Sequence, residues 1–103
     1  MTRPTALDND EVAAALAAPD APEWDLVDGQ LVRVVECASF LAALDFVLAV
    51  GRMAEEADHP PDIDLRWRTV RLAVVTHDAG GLTGLDFALA RAVDALVGSL
   101  AQT

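Results

Sequence analysis

Apolar residues recur along the chain with two different periods, and the breaks between them mark out the elements. Asp8, Asp10 and Glu11 open the first run. They suit a helix N-terminus, where the backbone dipole favours negative charge, and Val12, Ala15 and Leu16 give that helix a short apolar face. Two prolines within residues 18–22 end it. Residues 24–27 and 30–36 then flank Asp28-Gly29, a pair that accepts the two positive φ angles of a type I′ turn, so the spacing predicts a β-hairpin. Leu31, Val32, Val34 and Val35 make its second strand apolar on both faces for part of its length.

Ser39 is a good N-cap for a helix over residues 40–58. Phe40, Leu41, Leu44, Val47, Leu48 and Met53 form its expected core stripe at helical spacing. His59 precedes Pro60 and Pro61, which stops the helix because the residue before a proline is pushed out of helical geometry. Ile63, Leu65 and Trp67 alternate with Asp62, Asp64, Arg66 and Arg68, the pattern of a strand with one wet face and Trp67 on the core side. Residues 70–77 are apolar on both faces, as a central strand should be, with a tight turn expected near Arg68-Thr69. After a flexible corner at residues 79–81, Thr83 caps a last helix with Asp86 at the reciprocal capping position. Phe87, Leu89, Ala90, Val93, Leu96 and Val97 supply its apolar face.

The order helix, hairpin, helix, hairpin, helix predicts an α+β fold, with three helices packed on one face of a four-stranded antiparallel sheet. Residues 1–7 are expected to be a loose end before a single domain over 8–103. The sheet's edge strands offer a route to dimerisation by strand pairing. If Trp67 faces Val70, then Ile63 faces Val74, and the same register puts His77 opposite Pro60. Two histidines distant in sequence would then meet at one end of the sheet. Glu55 lies one helical turn before His59, and Asp86 enters from the first turn of the last helix.

Composition narrows the chemistry. The chain has 103 residues, 53 % of them hydrophobic, enough for one small core. It has no lysine and a formal net charge of −10, which repels phosphate backbones and anionic lipid, so neither a nucleic-acid nor a membrane partner is expected. No apolar run suits a bilayer span and no signal peptide is evident, so a soluble, unexported protein is expected. Cys37 is the only cysteine, as befits a reducing, cytoplasmic setting, and it reads as a packed hydrophobe rather than a nucleophile.

Each polar residue also has an ordinary explanation. His59 complements a helix C-terminus, Asp86 is a capping partner, Glu55 a solvated helix residue, and Arg66, Arg68 and Arg71 a wet face. There is no HxH, HExxH or cysteine-rich spacing for a metal, and the "AGGLTG" stretch lacks the ending of a phosphate-binding loop.

Taken together, "EEADHPPDIDLRW", "VVTHDAGGLTGLD" and the upstream "W…DGQLVR" resemble the pterin-4a-carbinolamine dehydratase family over nearly the whole chain. In that family a Glu stands before a His-His-Pro with three residues between, followed by an aromatic, a "TH" at a strand end and an Asp in the last helix. The resemblance implies an enzyme, in homodimers or homotetramers, that needs no metal or cofactor and eliminates water from a 4a-hydroxytetrahydropterin to give the quinonoid dihydropterin. It assigns His59 and His77 to catalysis and Glu55, Asp86 and Trp67 to substrate binding. Glu55 and Asp86 would bond pterin N–H groups or set a histidine tautomer. One position departs: the family's second histidine is Pro60 here, which has no proton to exchange, so reduced activity is expected. A non-catalytic relative that keeps the fold and acts by binding or assembling other proteins is the alternative.

Overall fold

The computed structural model describes residues 4–101. Helix α1 (Asn9–Ala17) is followed by strands β1 (Asp25–Val27) and β2 (Gln30–Glu36), helix α2 (Phe40–Ala57), strands β3 (Asp62–Arg66) and β4 (Thr69–Val74), a single 3-10 turn (His77–Ala79) and helix α3 (Gly84–Ala101). The four strands form one antiparallel sheet in the order β1-β2-β4-β3, so the two hairpins join through β2 and β4, and β1 and β3 are the edges. Leu31, Val70, Leu72 and Val74 turn one face of this sheet toward Phe46 and Val50 of α2 and Phe87, Ala90 and Val93 of α3, and these side chains form the core.

Local chemistry starts α1, the first hairpin and α2 where the sequence predicts. Asp8 and Glu11 complete a reciprocal capping box on α1, with Glu11 N–H donating to Asp8 Oδ1 at 2.8 Å and Asp8 N–H to Glu11 Oε1 at 2.9 Å. Asp28 and Gly29 sit at φ 50° and 78°, the paired positive angles of the expected turn. Ser39 Oγ accepts from Ala42 N–H at 3.0 Å. Of the expected loose N-terminal end, residues 1–3 lie outside the described residues. Leu7, in contrast, donates to the Leu82 carbonyl at 2.8 Å and packs against the core.

Helix α2 presents the opposite face from the one its large residues suggest. Ala43, Phe46, Val50 and Ala54 are buried, whereas Phe40, Leu41, Leu44 and Leu48 are exposed, Leu41 by 67 %. Of the expected stripe, only Val47 and Met53 pack against the core. The inner face thus pairs Phe46 and Val50 with the small residues Ala43 and Ala54. What remains is an apolar outer stripe, which a lone soluble domain rarely exposes.

The second hairpin is two residues out of the expected register. Leu65 pairs with Val70 and Ile63 with Leu72, which puts Trp67 and Arg68 themselves in the turn. The turn lacks the glycine or asparagine that would have marked it. Trp67 takes the positive φ instead, at 55°, and it is 71 % exposed rather than in the core, with the Arg68 guanidinium 4.8 Å from its ring centre. A bulky residue at positive φ is strained. Trp67→Gly is therefore expected to leave stability within about 1 kcal/mol of wild type, relief of backbone strain offsetting the lost cation–π contact and added chain entropy. A core tryptophan would cost about 3–5 kcal/mol on truncation, and denaturant midpoints separate the two.

Candidate active site at the open end of the second hairpin

A shift of two residues keeps every side chain on its own face, because side-chain direction alternates with period two. The end of the sheet at which the candidate residues gather is therefore unchanged, but the pairing that gathers them is different. Continued past Asp62–Ala73, the observed register carries position 59 toward Thr76 rather than carrying His77 toward Pro60.

The end of α2 aims His59 inward. Asp58 takes a left-handed conformation at φ 51°, its N–H donates to the Glu55 carbonyl at 3.2 Å, and His59 N–H donates to the Ala54 carbonyl at 3.0 Å. These are the two bonds of a Schellman motif, with aspartate where glycine is usual. The motif reverses the chain in two residues, and Pro60 and Pro61 then lead directly into β3. The His59 side chain is left only 7 % exposed.

There it meets Asp86, which is 0 % exposed. His59 Nε2 lies 2.6 Å from Asp86 Oδ1. The other carboxylate oxygen, Oδ2, accepts from the Thr83 N–H and from the Thr76 hydroxyl, both at 2.8 Å. Thr83 Oγ1 is 2.8 Å from Thr76 Oγ1 and also accepts from Leu85 N–H at 3.2 Å, so Thr83 is the cap of α3 that the sequence predicts. His59, Thr76, Thr83 and Asp86 are the buried polar or charged side chains among the described residues, and they form one connected group. A buried charge is costly unless fully hydrogen-bonded, and here every donor aimed at the carboxylate is accounted for.

The geometry sorts the expected site residues. His59 and Asp86 are in direct contact. His77 directly follows Thr76 and opens the exposed 3-10 turn at this same end of the sheet. Glu55 stands exposed on the last turn of α2, four residues before His59. Asp86 is wholly buried, with Oδ1 against His59 and Oδ2 against Thr76 and Thr83, so both of its oxygens are engaged within the protein. Trp67 does not join the group. The five residues of β3 separate the hairpin turn from His59 by roughly 16 Å at about 3.3 Å per residue.

Sequence reading missed two things. One is the part played by Thr76, which stands just past β4 and whose signal is its place in the "TH" that the family resemblance includes. The other is a second polar knot, in which Asp94 accepts from the Trp24 indole N–H and the Glu23 N–H, each at 2.7 Å, and from Arg33. Asp94 lies on the same helical stripe as Ala90 and Val97, and a carboxylate there is the signal. This knot ties the loop before β1 to α3 and is structural.

A groove of about 500 Å³ opens at the far end of the helix pair, lined by Val35, Cys37, Phe46, Leu96, Val97 and Leu100. Neither histidine lines it. Burial foremost, and then the neighbouring Glu36, push the Cys37 thiol up from its ordinary value, which suits a packed side chain and not a nucleophile.

Residues 5–96 match the family model described as pterin 4 alpha carbinolamine dehydratase. A protein of Chloroflexus aurantiacus, provisionally named a pterin-4-alpha-carbinolamine dehydratase, is 51 % identical over 88 residues, covering 85 % of this chain and 92 % of its own. One of Mycolicibacterium vanbaalenii with the same provisional name is 47 % identical over 92 residues, covering 89 % and 97 %. The crystal structure of a transcriptional coactivator/pterin dehydratase from Brucella melitensis superposes with a TM-score of 0.81 at 28 % identity, covering 89 % of this chain and 98 % of that one. The matched stretch takes in both hairpins, the buried histidine–aspartate pair and His77, and on that footing the chain belongs to the pterin 4 alpha carbinolamine dehydratase family.

Proposed function

We propose that this protein is a hydro-lyase that removes water from a 4a-hydroxytetrahydropterin to give the quinonoid dihydropterin, with residues 8–103 acting as one dehydratase domain. In this reaction the C4a–oxygen bond breaks, the departing hydroxyl gains a proton and a ring N–H loses one. Imidazole suits both transfers because its ordinary pKa of about 6.5 lets it give or take a proton near neutrality. The observation that carries the reading is the His59–Asp86 pair, in a chain whose family match spans the whole site. With Asp86 ionised, Nε2 bears the proton that faces it, so Nδ1 is the nitrogen that exchanges a proton with substrate. His77 supplies the second imidazole, and Glu55 accepts from a pterin N–H.

Pro60 is exposed beside His59 and carries no exchangeable proton, so the rate is lower than a second imidazole there would allow. Stopped-flow dehydration of freshly made 4a-hydroxytetrahydropterin tests the whole reading. Wild type is expected to exceed the uncatalysed rate. His77→Ala should lower it about 10²-fold, the low end for one acid–base group, and Pro60→His should raise it. Wild type indistinguishable from buffer, together with no binding of a dihydropterin, would sink the proposal.

Among the described residues no helix is long and apolar enough to cross a membrane. The proposal includes a cytoplasmic location, as the lone cysteine suggests, and a homodimer or homotetramer joined through the outer stripe of α2. Phe40, Leu41, Leu44 and Leu48 favour a second copy because their spacing gives a self-complementary apolar seam, interrupted by few charges in an otherwise acidic chain.

A further inference from the structure

Counting protons in the buried group gives it a direction. Each threonine hydroxyl has one proton to donate. The Thr76 proton goes to Asp86 Oδ2, so the 2.8 Å contact between the two hydroxyls must use the Thr83 proton, with Thr76 Oγ1 accepting. Thr83 Oγ1 in turn accepts from the Leu85 N–H in the first turn of α3. The chain therefore runs one way, from a helix N-terminus through Thr83 and Thr76 to the carboxylate. Thr83 N–H adds a second donor to Oδ2, and Oδ1 is left facing the imidazole.

We infer that Thr76 and Thr83 are positioning residues for His59. By saturating Oδ2 they fix the Asp86 carboxylate so that Oδ1 accepts from Nε2–H, which holds the imidazole in a single tautomer and turns the Nδ1 lone pair outward. A carboxylate free to rotate would offer either oxygen at varied angles and hold the ring less firmly. The inference deepens the proposed dehydratase reading and rests on it for its catalytic consequence, but the tautomer itself can be observed without any turnover.

The test is the long-range ¹H–¹⁵N spectrum of the His59 ring at neutral pH in wild type, Thr76→Val and Thr76→Ser, together with steady-state dehydration. Wild type is expected to show one Nε2–H tautomer. Thr76→Val, which keeps the shape and deletes the hydroxyl, should give shifts averaged between tautomers and a kcat about 10-fold lower with KM nearly unchanged. The scale is that of outer partners of metal-bound histidines, which are typically worth about 10–100-fold. Thr76→Ser should restore both readouts. If Thr76→Val lowers the melting temperature and leaves the His59 signature as in wild type, the hydroxyl is merely structural and the inference is overturned. A wild-type ring in the Nδ1–H form, or already averaged, overturns it as well, whatever the variant does. A single Nε2–H tautomer in a protein without dehydratase activity would instead overturn the functional reading and leave the positioning intact.

Discussion

Asp86→Asn is expected to yield a folded protein whose dehydration rate is about 10²–10⁴-fold lower than wild type. The amide oxygen can take the place of Oδ2 and accept from Thr83 N–H and the Thr76 hydroxyl. That puts the amide NH₂ where Oδ1 was, 2.6 Å from His59 Nε2, donor facing donor. The clash is relieved if the imidazole moves its proton to Nδ1 and accepts through Nε2. His59 then points an N–H outward where the reaction needs a lone pair. An amide in place of an orienting carboxylate costs a serine protease about 10⁴-fold by the same wrong-tautomer route. Stability should fall by only about 1–3 kcal/mol, since the group stays hydrogen-bonded but loses its charge-assisted bonds. Asp86→Ala is different in kind: it orphans three buried donors and should cost about 3–5 kcal/mol, which confounds activity with folding. Circular dichroism and stopped-flow rates on the asparagine variant make the decisive pair. An asparagine variant that turns over at nearly the wild-type rate would reduce Asp86 to a pin holding α3 to β4.

The family resemblance left two roles open for Asp86, and choosing the tautomer-setting one takes the geometry, although most of the fold was legible in the sequence. Signals confined to a few adjacent residues were legible: the Asp8–Glu11 box, the Asp28-Gly29 turn, the Ser39 cap and the His59-Pro60-Pro61 stop each depend on neighbours alone. So was the end of the sheet where His59 meets Asp86 beside the turn that His77 opens, because a register error of two residues preserves faces and ends. The partners of Asp86 were not, since His59 and Thr76 are 27 and 10 residues away and are fixed only when both hairpins are in place. The exposed position of Trp67 was hidden for another reason. Alternation put it on the core face, and nothing in the sequence marked a turn that a tryptophan itself must make. Helix α2 misled through volume. Both its faces are apolar, and most of the larger residues were assigned to the core, whereas Ala43, Phe46, Val50 and Ala54 are the ones buried.

The outer face of α2 therefore supports the second large effect. Leu44→Glu combined with Leu48→Glu is expected to convert the protein to a monomer in sedimentation equilibrium while leaving its melting temperature, measured on the dilute chain, close to wild type. Both side chains are already exposed in the single chain, by 40 % and 53 %, so the monomer loses little by the change. Across a two-fold seam each is counted twice. Full burial of a leucine is worth about 1.5–3 kcal/mol, and roughly half of each remains to be covered, so four of them contribute about 4 kcal/mol. Losing that alone weakens association about 10³-fold. Four carboxylates brought together in an already acidic protein add repulsion and desolvation to the same side of the balance. The outcome also discriminates between surfaces. A variant that still self-associates moves the seam to the sheet edges, where β1 has only three residues to offer and β3 turns Asp62, Asp64 and Arg66 to the face without helices. Charged edge strands of that kind discourage pairing, and for that reason the helix face is the stronger expectation.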